Sequence, residues 1–124
     1  MLHIPGLYIA DTDHGRGVYT GIDISRGDII ERCPIIKIPT GQLRHINPTI
    51  LYEYYFLWQE EGVEACIALG YGSLYNHSPT PNAEIILDHT DDHIVIQAIQ
   101  NISPTTEIRI DYTGATKGEI ELWF

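Results

Sequence analysis

The sequence predicts a mostly β domain of several small sheets with one main helix. Two observations predict this class. Many short apolar runs are separated by turn-forming residues, and only one segment has helical periodicity. The 124 residues fit one domain spanning 1–124. An apolar fraction of 44% and a charged fraction of 19% are typical of a globular chain.

The first part of the chain alternates between strands and turns. We predict a first strand over residues 2–10, a turn over 14–17 and extended chain again from Val18. A second turn over 25–28 leads into another strand, in which Pro34 marks a bulge or an edge.

The predicted helix begins after Asn47, which suits an N-cap, with Pro48 in the first helical position. Apolar residues then recur at helical spacing on one face, and Gly62 ends the helix. The residues of that face are Ile50, Leu51, Tyr54, Leu57 and Trp58.

The second half reads as strands and turns. A short strand covers 65–69, and the segment 70–82 is mostly loop. A hairpin joins 84–87 to 93–99, and the run 107–112 alternates strictly. This alternation places one apolar set on a shared face: Ile108, Ile110 and Tyr112.

Charge and cysteine content exclude several classes of function. Seven Lys and Arg against 17 Asp and Glu give a formal net charge of −10, which argues against nucleic-acid binding and suits a basic partner. Cys33 and Cys66 form no CxxC pair, so we expect two reduced thiols and no cysteine zinc site. Without a signal peptide or membrane span, we expect a cytoplasmic or nuclear protein.

Three segments carry candidate functional residues, and each has a plain structural alternative. The loop 70–82 could grip a polar small molecule, or it could be a surface turn cluster. The turn 14–17 could let the backbone approach a ligand, or be a simple turn. Tyr112 could orient an amine, or fill the core. His89 and His93 straddle a hairpin turn, so we predict no metal site.

These segments share a diagnostic order along the chain. The motifs are G-R-G-V at 15–18, I-S-R-G-D-I-I-E at 24–31, N-H-S-P-T-P-N at 76–82 and E-I-R-I-D-Y at 107–112. Together they resemble the SET-domain protein lysine methyltransferases, especially the minimal single-domain members of viral or bacterial type. The resemblance covers about 4–113, and it implies a β-clip (SET) fold with a pseudoknot-like C-terminal crossing. Residues 114–124 would form a short C-terminal tail.

The resemblance also implies a site. S-adenosylmethionine would be the cofactor and S-adenosylhomocysteine the product. Tyr112 would orient the lysine amine rather than remove its proton, because a phenol with a pKa near 10 stays protonated at neutral pH. Tyr54 and Tyr71 would line the lysine channel. The residues implied to bind the cofactor are Arg16, Gly17, Val18, Tyr75, Asn76 and His77.

The implied function is methyl transfer to a lysine of a basic protein, such as a histone or histone-like tail. Two alternatives stay open: a catalytically inactive SET-fold binding module, or a structural domain that forms a homodimer.

The sequence departs from the family pattern at several positions. Arg16 stands where many members carry an aromatic residue. The segment 113–116 lacks the aromatic that often limits the number of methyl groups added, so that number stays open. The family's C-terminal cysteine zinc cluster is absent from the sequence.

Overall fold

The computed structural model describes residues 2–13 and 15–112, so the C-terminal tail expected at 114–124 lies outside the described residues. Within them the chain forms a four-stranded and a five-stranded sheet, which confirms the mostly β class. The strands are β1 (Leu7–Thr12), β2 (Gly15–Thr20), β3 (Ile29–Pro39), β4 (Phe56–Glu60), β5 (Val63–Ala68), β6 (Asn76–His77), β7 (Ala83–Asp88), β8 (His93–Ala98) and β9 (Glu107–Ile110).

The five-stranded sheet has the order β4-β5-β3-β8-β7, with each neighbouring pair antiparallel. Its buried side chains supply much of the core, including Ile30, Cys33, Trp58, Ile94 and Ile96. The predicted hairpin is confirmed as β7 and β8, and the predicted strand at 65–69 corresponds to β5.

Pro34 lies inside β3, which has a neighbouring strand on each side, so the prediction of a bulge or an edge there is wrong. The register of β3 shifts between Ile29 and Glu31 and again between Ile38 and Pro39. Pro34 instead ends the part of β3 that pairs with β8, and β5 pairs with β3 from Ile35 onwards. A residue without a backbone N–H is tolerated at this change of partners.

The four-stranded sheet has the order β1-β2-β9-β6. Strand β9 pairs with β2 in antiparallel fashion and with β6 in parallel. The side chain of Asn82 adds to this parallel edge: its Nδ2 donates to the Glu107 carbonyl at 2.9 Å, and its Oδ1 accepts the Arg109 N–H at 2.8 Å. The segment after β6 is therefore fastened along β9, where the C-terminal crossing is expected.

The prediction of a main helix after Asn47 is wrong. The structure has a short helix α1 (Leu43–Ile46), in which Asn47 is the C-cap, and then a 3₁₀ turn over Ile50–Glu53. The chain continues as β4, where Phe56 and Trp58 are buried. Tyr54, Leu57 and Trp58 fit the spacing of a helical face, whereas Phe56 and Trp58 fit the two-residue period of a strand. Pairing with β5 decides in favour of the strand.

The N-terminal predictions also need correction. Strand β1 begins only at Leu7, because Pro5 and Gly6 form a turn in which Gly6 has a φ of +86°. Gly15 and Gly17 belong to β2 rather than to a turn, so the hairpin connection falls between Thr12 and Gly15. Glycines commonly mark turns, but close packing can require them in a strand as well. The turn predicted over 25–28 is confirmed.

Both cysteines are buried free thiols, as expected. Among residues 2–13 and 15–112, no helix is long and apolar enough to cross a membrane. In the same part of the chain, no group of three or more His, Cys, Asp or Glu side chains is placed to hold a metal ion.

The centre of the five-stranded sheet should carry most of the stability. Ile96 on β8 is fully buried, whereas Ile36 on β3 is 54% exposed. We expect Ile96→Ala to lower the free energy of unfolding by about 2–5 kcal/mol, because it leaves a cavity. The matched variant Ile36→Ala should cost less than about 1 kcal/mol. Urea unfolding of both variants tests this, and equal losses would contradict the assignment of the core.

Candidate active site

A cavity of about 430 Å³ opens between the tip of the β1–β2 hairpin, the 3₁₀ turn at Gly72–Leu74 and Tyr112. Its volume lies in the range of about 300–1,000 Å³ that is usual for small-molecule sites. Five of the predicted site residues line it: Arg16, Tyr54, Tyr75, Asn76 and Tyr112. Its other lining residues are Asp11, Gly15, Ser73 and Leu74.

The sheet explains how residues so distant in sequence meet. In β9, Ile108 pairs with Val18 of β2 on one side, and Arg109 pairs with Asn76 of β6 on the other. Three of the four sequence motifs, those at 15–18, 76–82 and 107–112, therefore begin on three adjacent strands. Tyr112 follows two residues after β9 ends, which carries it to the cavity.

Glu107 fastens these strands together. Its side chain is only 7% exposed, and its two carboxylate oxygens accept from Asn76 Nδ2 and Arg109 Nε, both at 2.7 Å. Asn76 Nδ2 also donates to the Arg16 carbonyl at 3.1 Å. A Cβ on Gly17 would lie 2.9 Å from this nitrogen, so the close approach requires a glycine.

This network limits what Asn76 can offer to a ligand. An amide nitrogen has two hydrogens to donate. The acceptors on Glu107 and Arg16 account for both of them. The amide oxygen is therefore the side-chain group that Asn76 can still offer to a ligand.

The hydroxyl of Tyr112 is held by the carbonyl of Tyr75, to which it donates at 2.6 Å. Burial raises the pKa of Tyr112 to about 12, and the neighbouring Tyr54 adds to the effect. Tyr112 is therefore a neutral phenol at physiological pH. Because its proton is donated to the Tyr75 carbonyl, the Tyr112 oxygen acts towards any further group as a hydrogen-bond acceptor.

His77 contacts Tyr112 through one hydrogen bond and through its ring. Its Nδ1 accepts the backbone N–H of Tyr112 at 3.1 Å, and the two rings lie 5.2 Å apart. A backbone N–H can only donate, so Nδ1 carries a lone pair and the ring proton sits on Nε2. Asp111 Oδ1 is 3.7 Å from the same Nδ1, too far for a hydrogen bond.

Four predicted site residues do not line the cavity in the part of the chain that the structure describes: Gly17, Val18, Tyr71 and His77. Val18 is fully buried in the core. Tyr71 packs edge-on against His3, with the two ring centroids 5.5 Å apart. Its predicted role in a lysine channel stays a prediction without support from the cavity lining.

Sequence reasoning missed Glu31, which anchors the loop bearing Tyr75. Glu31 is 2% exposed, and its carboxylate accepts from the Tyr75 hydroxyl at 2.7 Å and from the Tyr71 N–H at 2.9 Å. Burial and this carboxylate raise the pKa of Tyr75 well above its usual value. An acidic residue within the apolar strand β3 was the available signal for a buried polar partner.

Asp11 was also missed, because its place depends on the hairpin register. The structure pairs Asp11 with Arg16 across β1 and β2. The sequence-based prediction of a turn over 14–17 gave no strand partner to Asp11. A two-residue connection after Thr12 would have revealed it.

Comparisons with known proteins agree with this arrangement. Residues 15–113 match the family model described as SET domain. The chain is 32% identical over 120 residues to a Schizosaccharomyces pombe histone-lysine N-methyltransferase specific for H3 lysine-37, covering 95% of this chain and 76% of that protein. A crystal structure of a provisionally assigned Plasmodium falciparum histone methyltransferase is similar with a TM-score of 0.72 and 29% identity, covering 86% of this chain and 92% of that one.

The chain therefore belongs to the SET-domain family, which confirms the resemblance found in its motifs.

The Glu107 network makes a stability prediction. In Glu107→Gln, one carboxylate oxygen becomes an NH₂ group that must face a donor, either on Asn76 or on Arg109. We expect a loss of about 1–3 kcal/mol in the free energy of unfolding. The matched control Glu84→Gln, on the exposed face of β7, should change it by less than about 0.5 kcal/mol. Chemical denaturation compares the two, and equal stabilities would refute the role of Glu107.

The environment of Tyr112 predicts a pH dependence. Its pKa is about 12 in the folded chain, against an ordinary value of 10.0. Between these values the unfolded chain releases the proton and the folded chain keeps it, so stability falls as pH rises. We expect Tyr112→Phe to show a shallower decline of unfolding free energy from pH 10 to pH 12 than the wild type. Parallel profiles from urea unfolding would contradict the buried, protonated phenol.

Proposed function

We propose that this protein is a protein-lysine N-methyltransferase that uses S-adenosylmethionine. One observation carries the proposal: Tyr112, whose hydroxyl is held by the Tyr75 carbonyl, lines the same cavity as Arg16 and Asn76. Membership of the SET-domain family and the histone-lysine methyltransferase relatives support lysine methylation as the activity.

The cavity suits the cofactor in its chemistry. S-adenosylmethionine supplies an electrophilic methyl group on a positively charged sulfur. Its polar parts need hydrogen-bonding and charged partners, which Arg16, Asn76 and the Tyr75 backbone provide in the cavity wall. Gly17 and Val18 would contribute indirectly as residues of β2, and His77 would contribute by accepting the backbone N–H of Tyr112.

The lysine amine must be neutral to attack, although free lysine has a pKa near 10.4. Tyr54 and Tyr112 both line the cavity. Loss of hydrating water there and the positive sulfur of the cofactor would both disfavour the charged ammonium form. The proton therefore leaves to solvent before the amine is enclosed. Tyr112 acts afterwards, when its oxygen accepts an N–H of the neutral amine and so aims the nitrogen lone pair.

Tyr112 has no part as a proton-abstracting base in this proposal. Its pKa of about 12 keeps the phenol protonated at neutral pH. The hydroxyl and the Tyr75 carbonyl instead place partial negative charge beside the reacting nitrogen, which gains positive charge as the methyl group arrives. Positioning and electrostatics are thus the contributions of this chain.

The substrate would be a basic protein, such as a histone or histone-like tail. The net charge of −10 favours association with a lysine-rich segment, and the S. pombe relative is named for activity on H3 lysine-37. A nuclear or cytoplasmic location belongs to the same proposal.

Methyl transfer from labelled S-adenosylmethionine onto core histones and other basic proteins tests the proposal. Tyr112→Phe removes the hydroxyl, so we expect methyl transfer at least about 100-fold slower. Binding of S-adenosylhomocysteine should stay within about threefold of the wild type. Tyr8→Phe is the matched control, because Tyr8 stacks on Tyr19 outside the cavity and should keep full activity.

Other outcomes favour the alternative functions. A wild-type protein that binds S-adenosylhomocysteine but labels no lysine would be an inactive binding module. A protein that binds no cofactor would be a structural domain. Full activity in Tyr112→Phe would leave the enzyme in place but overturn the role given to Tyr112.

A further inference from the structure

Glu31 is a buried carboxylate in the apolar strand β3, and both of its oxygens accept hydrogen bonds. The Tyr75 hydroxyl donates to Oε1 at 2.7 Å, and the Tyr71 N–H donates to Oε2 at 2.9 Å. Burial, the charge of Glu31 and a hydrogen bond to it raise the pKa of the Cys33 thiol, so the thiol keeps its proton as a further donor. Donors at both oxygens are what an ionised carboxylate needs when its residue is only 2% exposed.

The segment 70–75 packs directly on this carboxylate. A Cβ on Gly70 would overlap Glu31 Oε2, and the φ of +66° at Gly70 also favours a glycine. A Cβ on Gly72 would lie 2.8 Å from Cys33 Sγ. A side chain at either position would push the segment away from β3, so the two glycines allow it to reach Glu31.

Glu31 holds this segment at two points, before and after the 3₁₀ turn at Gly72–Leu74. The Tyr71 N–H lies before the turn, and Tyr75 follows it. Inside the turn, the Leu74 N–H donates to the Tyr71 carbonyl at 2.8 Å. The backbone of Tyr75 is therefore positioned by the turn that precedes it and by its own side chain, whose hydroxyl is bonded to Glu31.

The backbone carbonyl of Tyr75 accepts the Tyr112 hydroxyl at 2.6 Å, so the direction of that hydroxyl depends on where the carbonyl lies. A misplacement of about 1 Å in a group that orients a substrate can slow an enzyme about 100-fold. A shift of the segment 70–75 would therefore be passed on to Tyr112.

Stability alone gives a weak reason for an acid at this place in β3. Burying a carboxylate costs free energy, and a well-packed apolar side chain is often at least as stabilising. Charge-assisted hydrogen bonds are short and directional, so they hold the segment 70–75 in one arrangement better than apolar contacts do. The buried carboxylate thus suits a role in positioning.

We propose that Glu31 is a positioning residue for methyl transfer. Through the Tyr75 side chain it fixes the Tyr75 carbonyl, and that carbonyl in turn orients the Tyr112 hydroxyl for the lysine amine. The inference rests on the proposed function. It assigns an effect on the rate of transfer, and not on cofactor affinity, to a residue that the described wall of the cavity does not include.

Two variants break the link from opposite ends. Glu31→Gln keeps the shape of the side chain but replaces one acceptor oxygen by an NH₂ group. Tyr75→Phe keeps the ring and removes only the hydroxyl. The third protein is the double variant Glu31→Gln/Tyr75→Phe.

Each single variant has a matched control elsewhere in the chain. Glu60→Gln alters a carboxylate that accepts from Lys37, and Tyr55→Phe removes a hydroxyl that donates to Asn47 at 2.9 Å. Neither Glu60 nor Tyr55 is among the residues of the described cavity wall. Both controls lose a hydrogen bond, so they measure the cost of that loss away from the site.

Steady-state methyl transfer to core histones gives kcat and KM, and calorimetry gives the affinity and stoichiometry for S-adenosylhomocysteine. We expect Glu31→Gln and Tyr75→Phe each to lower kcat about tenfold. The cofactor KM and the affinity for S-adenosylhomocysteine should stay within about threefold of the wild type. A binding stoichiometry equal to that of the wild type shows that the loss is not a loss of folded protein. The two controls should keep the wild-type kcat.

The double variant tests whether Glu31 acts through Tyr75. If it does, the double variant should also be about tenfold slower than the wild type, because the second change removes a link that the first has already broken. Independent contributions would instead multiply to about 100-fold.

Full kcat in either single variant would overturn the inference, and so would a loss of about 100-fold in the double variant. If Glu31→Gln fails to fold, the kcat of Tyr75→Phe decides alone. These results leave the proposed function in place. A wild type that transfers no methyl group to any lysine would overturn the proposed function and the inference together, which distinguishes the two failures.

Discussion

The pairing of β9 along both of its edges is the constraint on which the site depends. Strand β2 occupies one edge, while β6 and the Asn82 side chain occupy the other. This arrangement brings together residues from the start, middle and end of the described chain. Glu107 reinforces it at the point where the strands meet, since its buried carboxylate accepts from Asn76 on one neighbour. Breaking this pairing would separate Arg16, Asn76 and Tyr112.

Tyr75 and Tyr112, which line the cavity, are held by hydrogen bonds to neighbouring residues. Glu31 bonds to the Tyr75 hydroxyl, the Tyr75 carbonyl receives the Tyr112 hydroxyl, and His77 accepts the Tyr112 N–H. No buried side-chain polar atom in the described residues lacks a partner. Such a fully bonded arrangement reduces the reorganisation needed when charge develops in the cavity. Glu31 is the first residue in this series of hydrogen bonds and Tyr112 the last, so Glu31 belongs to the site as well.

Local patterns in the sequence were sufficient for features set by nearby residues. The β7–β8 hairpin and the mostly β class follow from alternation and turns, and the ordered motifs pointed to the SET-domain family. Features that depend on distant pairing were missed. Trp58 fits a helical face together with Leu57 and a strand together with Phe56, and only the pairing with β5 decides between them. Pro34 is tolerated because β3 changes partners there, and Asp11 acquires its neighbour from the hairpin register.

The parallel pairing of β6 and β9 has a consequence for how the chain folds. Parallel strands cannot be joined by a tight turn, and here the β7–β8 hairpin separates the two along the chain. Closing that long loop costs entropy before any contact is gained. The cavity also needs Val18 of β2 to pair with Ile108 of β9, and these two residues lie farther apart along the chain than any pair in the five-stranded sheet, so the cavity is completed late. A ligand that fills the cavity binds only the fully folded chain, and it therefore stabilises the pairing that forms last.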